Sequence, residues 1–338
     1  MKLRTILKHD LSILIILALA RLVLHTATNG AYGLHRDELA MLDDARHLAW
    51  GYVAYPPLVP ILTRVSWEVF GAWLPGLRLL SVIVQCVAMV LVGLMAKELG
   101  GGRGAQVVAA LAAAIAPMSL VMGTMFQYIS FDYFWWVLIG YFIIKRITSG
   151  DPRWWIGIGA AIGLGMMTKY TIIFLIAGVI VAVLLTPLRQ DLKSRWLYAG
   201  AGLSIMIFLP TLIWHIQSDF IALEFTSSIH ARDVAIGRAD GFIWQQFVAS
   251  SNPFTVPLWI AGIGGGFSEE RRSFASLSGE TAEQVPTFRI EQNVITARSA
   301  GCSSFRRCCW QSHRGGFIIW LRHIPFYWRW GRWFGWNG

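Results

Sequence analysis

Apolar residues fall in long runs along this chain, and the short polar stretches between them hold most of the charge. A bilayer core takes about 20 apolar residues per helix. The first run, Leu11 to Thr28, follows Lys2, Arg4 and Lys8 with no small-residue cleavage site after it, which predicts a retained membrane helix and a cytoplasmic N-terminus rather than a signal peptide. A second span covers Leu77 to Ala96 and ends at Lys97-Glu98-Leu99-Gly100. From Gly104 to Ile144 the only charge is Asp132; 41 residues of helix would be roughly 60 Å long, so two spans are expected, with an outer turn over Gly123 to Ser130. The 34 residues from Trp154 to Pro187 carry one charge, Lys169, near their middle. A lysine at the bilayer centre is costly and one at a turn is not, so Lys169 is placed on the outer surface between two further spans. A seventh span runs from Leu197 to His215 and an eighth begins near Phe254. The expected fold class is an all-α integral membrane protein with about seven complete spans plus a truncated eighth.

Composition agrees with that pattern. Hydrophobic residues make up 55% of the 338 and charged ones 14%, against roughly 45–50% and 25% in soluble domains. The net charge of +10 would suit nucleic acid, but the uninterrupted apolar runs exclude such a partner. Over residues 1–266 the segments assigned to the cytoplasm hold eleven Lys or Arg and the external ones six, whereas acidic residues divide four inside and ten outside. Cations inside fix the orientation. The carboxylates, and with them the polar chemistry, are placed on the external face. Two external loops are long, Asn29 to Gly76 and Ile216 to Asn252. In the first, Leu58, Leu62, Val65 and Val69, with Pro60 in a first turn, and Leu39, Leu42, Ala45 and Leu48 have helical spacing; they predict amphipathic helices in the membrane interface, beside Trp50, Trp67 and Trp73.

After Gly264-Gly265-Gly266 the character of the chain changes. The last 72 residues contain ten Arg, no Lys, six Trp and three of the four Cys, and none of their apolar stretches is long enough to span. Two domains are therefore expected: 1–266, membrane-embedded and incomplete at its C-terminal end, and 267–338, an Arg/Trp/Cys-rich tail that is not a native domain. A reading-frame shift near residue 266 accounts for the change, and resequencing the gene tests it. Cys302, Cys308, Cys309 and His313 lack paired metal-knuckle spacing, so no metal site is assigned to them.

The most informative polar cluster is His35-Arg36-Asp37-Glu38, just outside the first span. Adjacent carboxylates there suit an acid/base group or a cation site, and equally the first turn of a helix. Asp132 is either a site residue at the mouth of the fourth span or a helix cap beside Ser130. Lys169 suits a phosphate contact or an interfacial anchor; Arg46 suits a bidentate anion contact or a snorkelling surface position. Arg232 and Arg238 are weaker candidates. His35 and His47 read as hydrogen-bonded surface histidines ahead of metal ligands.

Asp37-Glu38, Ala45-Arg46 and Tyr55-Pro56-Pro57-Leu58 resemble the first external loop of dolichyl-phosphate-mannose protein mannosyltransferases and of bacterial aminoarabinose transferases acting on lipid A. His35-Arg36-Asp37-Glu38-Leu39, His47-Leu48-Ala49-Trp50-Gly51-Tyr52-Val53 and Thr168-Lys169-Tyr170 resemble the bacterial glycosyltransferase 39-like membrane proteins. The likeness covers residues 10–260. It implies a GT-C helix bundle in the bacterial inner membrane that moves a sugar, with inversion, from a polyprenyl phosphate to a lipid, glycan or protein acceptor on the external face. By the same resemblance Asp37 is the catalytic base with Glu38 beside it, and Arg46, Lys169, Asp132 and Tyr55 bind donor phosphate or substrate. Ala54 and Tyr55 stand where aminoarabinose transferases carry a glutamate and a lysine, which weakens that substrate and leaves no cofactor assigned, a divalent metal remaining open. A transporter or lipid-binding protein, or an inactive truncated transferase, are the alternatives. A transporter calls for charges or broken helices at mid-membrane rather than an acidic external loop.

Overall fold

The computed structural model describes residues 10–237 and Gly241, all within the unit Met1–Arg272. The expected eighth span and the tail 267–338 lie outside the described residues.

Among the described residues the fold is all-helical: α1 (Asp10–Thr28), α2 (Arg36–Arg46), α3 (Leu58–Phe70), α4 (Leu74–Glu98), α5 (Arg103–Ile115), α6 (Pro117–Met122), α7 (Tyr128–Ser149), α8 (Trp154–Met166), α9 (Ile172–Leu185), a 3₁₀ turn (Pro187–Lys193), α10 (Arg195–Gln217) and α11 (Ile221–Ala235). Helices stand at each of the seven expected places. Three of them, α1, α4 and α10, are long and apolar enough to cross a bilayer, or up to four if α9 and the 3₁₀ turn, bent by 99°, count as one span. The others fall short for local reasons. Pro117 has no N–H to donate and holds Ala116 extended (ψ 130°), which breaks the third expected span into α5 and α6. At 13 residues α8 is about 20 Å long. The 22 residues of α7 suffice in length, but Asp132, Lys145, Arg146 and its Tyr and Trp residues lower its hydropathy. Large apolar side chains face outward, Phe174 and Leu185 at 73% and 80% exposure among them, as a lipid-facing surface requires.

Three apolar clusters hold the bundle. Leu14, Met89 and Ala110 join α1, α4 and α5; Ile139, Trp155, Ile158, Ala161, Ile172 and Val183 join α7, α8 and α9. The third, Met41, Tyr55, Val59, Phe126 and Phe131, fastens the first loop onto the turn before α7. The seam between α8 and α10 is made of small residues. A Cβ on Gly159 would run into the Gly200 carbonyl, one on Gly200 into the Trp155 carbonyl, and one on Gly163 would sit 3.0 Å from the Ser204 carbonyl. Close backbone approach of this kind is how helices associate where no hydrophobic effect drives them together.

Both amphipathic helices of the first loop form, as α2 and α3. Their packed faces agree with the expected stripes only in part, at Ala45 and Leu62. Val59, Pro60, Thr63 and Ser66 of α3 are buried, while Val65 and Val69 are exposed, and in α2 it is Glu38, Met41 and Ala45 that face inward. The C-terminal half of the α3 stripe thus points outward, whereas Leu58 and Leu62 are half-buried and Leu62 packs on the cluster around Met41 and Tyr55.

Candidate active site

The first loop enters α2 through a capping box. The His35 ring accepts a bond from the Asp37 N–H (3.2 Å), and Glu38 reaches back to the His35 N–H (2.9 Å). His35 is therefore occupied as a helix cap, and His47 ends the same helix.

The two adjacent carboxylates go in different directions. Successive helical residues are rotated by about 100°, and here that turn carries Glu38 into the core and leaves Asp37 at the surface of the bundle. Glu38 is completely buried against Arg78 of α4, both side chains having 0% exposure. Arg78 Nε and Nη2 grip the two Glu38 oxygens at 2.8 and 2.7 Å, and its remaining N–H groups reach the carbonyls of Asn29 (2.5 Å), Tyr32 (3.4 Å) and Gly33 (2.8 Å). All five guanidinium donors are engaged. On the carboxylate side, the Phe126 N–H adds a bond of 2.9 Å and the His35 N–H another of 2.9 Å. With its four acceptor positions filled, Glu38 is a fixture that joins α1, α2, α4 and the turn before α7. Arg78 is not among the site residues expected from the sequence; a charge near the start of an otherwise apolar helix is the signal that could have found it.

Asp37 keeps 29% of its side chain exposed. Gln127 donates to its Oδ2, the exposed Arg36 lies 3.4 Å from its Oδ1, and the His35 ring is 3.8 Å away. Tyr55 and Tyr128, with ring centroids 5.8 Å apart, both lie within electrostatic range of Asp37. Lys169 stands over Tyr128, its Nζ 4.8 Å from the ring centroid, a contact that favours the cation. Burial pushes the Lys169 ammonium below its ordinary range, and the nearby Asp132 opposes that shift.

The turn bearing Lys169 is fastened at each neighbouring residue. Trp135 Nε1 donates to Thr168 Oγ1 (2.9 Å), Tyr170 Oη meets His215 Nε2 (2.7 Å), and Thr171 Oγ1 donates to both oxygens of Asp132 (3.0 and 2.9 Å). The Leu58 N–H bonds the Met167 carbonyl at 2.9 Å, tying α3 to the same turn. Asp132 thus carries out local holding beside its place near Lys169. Tyr55 donates to Asp44, and burial, reinforced by this contact, pushes the phenol well above its ordinary range. Burial in turn raises the Asp44 carboxyl.

The structure brings Asp37, Tyr55, Lys169 and Asp132 around Tyr128, but it does not bring Arg46 to them. Nine residues separate Asp37 from Arg46, which puts them on opposite sides of α2. Arg46 opens instead onto a cavity of about 650 Å³ between α2, α3 and the start of α4, lined by leucines, Trp67, Asp43 and the paired Arg64 and Glu68. Arg232 lies on α11 beside Asp233 (3.0 Å), and Arg238 is outside the described residues. Among the described residues no group of three or more His, Cys, Asp or Glu side chains converges as a metal site.

Residues 54–214 match the family of dolichyl-phosphate-mannose-protein mannosyltransferases. That stretch includes Tyr55, Asp132 and Lys169 and begins after Asp37. The chain is also 26% identical over 237 residues to the lipid A galacturonosyltransferase RgtD of Rhizobium johnstonii, a match covering 64% of this chain and 48% of the relative. The chain thus spans about half the length of the curated relative it matches. No solved structure matches it.

Proposed function

Taking this GT-C-like glycosyltransferase resemblance as the premise, we propose that the chain is an inverting membrane glycosyltransferase whose donor is a polyprenyl-phosphate sugar and whose acceptor is a lipid. The observation that carries the reading is the placing of a partly exposed, hydrogen-bonded carboxylate, Asp37, and an anchored cation, Lys169, near the same ring, Tyr128. Asp37 takes the proton from the acceptor hydroxyl as that oxygen attacks the anomeric carbon. The bond from the anomeric carbon to the phosphate oxygen breaks, and the electron pair leaves with the polyprenyl phosphate. An acceptor hydroxyl is a weak nucleophile without a positioned base, and the departing phosphate needs a preorganised cation in a poorly hydrated place. Lys169, fixed through its three neighbours, supplies that cation.

Glu38 supports this chemistry as a positioning residue, through the fixture it forms with Arg78. Arg46 belongs to the lipid-acceptor side, since its cavity offers leucines for acyl chains and a guanidinium for an anionic head. The name of the matched relative, a lipid A galacturonosyltransferase, favours an acceptor of that lipid class. The sorting of Lys and Arg supports an external active face and a cytoplasmic N-terminus, and the resemblance to bacterial transferases supports the bacterial inner membrane. Residues 1–266 form the transferase domain in this reading.

Membranes containing the chain are expected to transfer labelled sugar from a polyprenyl phosphate to an extractable lipid. Asp37→Asn lowers that rate by roughly 100-fold or more, as loss of a general base does, and Lys169→Ala by a comparable factor. Full activity in Asp37→Asn would remove the base, and transfer that does not require a polyprenyl phosphate would remove the donor class.

A further inference from the structure

The turn that joins α6 to α7 is held more firmly than a connection of five residues needs to be. Asn29 Nδ2 donates to the Gly123 carbonyl (3.0 Å), Tyr32 Oη to the Thr124 carbonyl (2.7 Å), and Ser130 Oγ to the Met122 carbonyl (2.6 Å). A Cβ on Gly123 would meet the ring of the buried His25 at 2.7 Å, so the turn lies directly against α1. Just before it, Arg21 Nη2 donates to Ser119 Oγ and to the Ser119 carbonyl at 2.9 and 2.7 Å. Just after it, Gln85 Nε2 donates to the Ser130 carbonyl at 2.9 Å. This clamped turn makes two contacts with α2: the Phe126 N–H to Glu38, and the Gln127 amide to Asp37. Gln127 is 9% exposed, so its side chain has little freedom to point elsewhere.

We propose that Gln127 is a positioning residue for the transfer reaction: its side-chain N–H holds Oδ2 and so fixes the rotamer of Asp37, aiming Oδ1, which otherwise meets only the exposed Arg36, at the acceptor hydroxyl. The inference rests on the reading of Asp37 as the base. Orientation is where it acts. An unsupported aspartate explores several rotamers, and a misplaced base loses rate steeply with small displacements. A bond from an uncharged amide to a carboxylate is worth enough to select one rotamer.

The test compares the full chain in membranes with Gln127→Met, which keeps length and shape without a donor, and Gln127→Glu, which replaces the NH₂ group by oxygen. Positioning predicts that Gln127→Met lowers kcat by roughly 10- to 100-fold and leaves KM for the polyprenyl-phosphate sugar unchanged. Gln127→Glu is expected to be as poor at pH 8 and to recover toward the unmodified chain as the pH is lowered and the introduced carboxyl gains a proton to donate. A space-filling role moves neither readout in that way. Gln127→Met with an unchanged kcat, or a Gln127→Glu deficit that does not vary with pH, overturns the assignment. Asp37→Asn run alongside separates the two levels. If it keeps the unmodified rate, the base itself is wrong; if it is inactive while both Gln127 variants are normal, only the role of Gln127 is lost.

Discussion

Replacing Arg78 by methionine should be among the most damaging single changes in the described region. The substitution keeps much of the aliphatic volume and removes five donors at once. Glu38, completely buried, would keep only the Phe126 and His35 N–H groups, and the carbonyls of Asn29 and Gly33 would lose a charged partner. Breaking one side of a buried ion pair costs about 3–5 kcal/mol, because the remaining charge is uncompensated. Arg64 and Glu68 on α3 form an ion pair of 2.6 Å between the same residue types, with side chains 43% and 59% exposed; its loss should cost less than about 1 kcal/mol. Denaturant-induced unfolding in mixed micelles, comparing Arg78→Met, Arg64→Met and the unmodified chain, measures both. A double change, Arg78→Met with Glu38→Met, should cost less than the sum of the two single changes, since no charge is then left buried. An Arg78→Met penalty below about 1 kcal/mol, or additive costs in the cycle, would refute the fixture and with it the anchored placing of Asp37.

Two further expectations concern packing and pH. Gly159→Ala should destabilise the bundle strongly, because even a methyl group meets the Gly200 carbonyl, whereas Gly178→Ala, with nothing within 4 Å, should be neutral or slightly stabilising; equal thermal stability of the two in detergent would contradict the close seam. Asp44 has its carboxyl raised by burial, so its contribution to stability is fully present below its ordinary range near pH 4 and is lost as the pH rises through the higher value of the fold. The melting temperature of the unmodified chain should therefore fall relative to Asp44→Asn as the pH is raised from about 4 toward neutrality, and a constant difference would count against it.

Much of the helical layout was legible because membrane insertion writes it in composition. Runs of apolar residues and the charges between them place α1, α4 and α10 to within a few residues. The single lysine of a 34-residue stretch does lie at the turn between α8 and α9. What was not legible depends on long-range partners. Nothing near Glu38 in the chain shows that a residue 40 positions away will occupy it, and Gln127, read as an ordinary turn residue, has its partner 90 positions earlier. The opposite sides of Asp37 and Arg46 are a different case. Nine residues at 100° each give half a turn, so helical periodicity contained the answer once α2 was known to run unbroken from Arg36 to Arg46.

Neighbouring carboxylates with unlike surroundings invite an exchange of their lengths. Glu38→Asp shortens the side chain by one methylene, and a shortened carboxylate cannot grip Arg78 with both oxygens while also meeting the Phe126 and His35 N–H groups. The missing bonds would be those of a fully desolvated anion, so a loss of about 1–3 kcal/mol in stability is expected, along with reduced transfer because the start of α2 loosens. Asp37→Glu should do the reverse. The longer side chain has room at a partly exposed position, so the fold is expected to hold within about 0.5 kcal/mol, while its carboxylate overshoots Gln127 and transfer falls. Unfolding measured on the two variants beside sugar transfer separates the roles. Stability lost at position 37 and retained at position 38 would reverse the assignment, making Asp37 the fixture and Glu38 the group free to act.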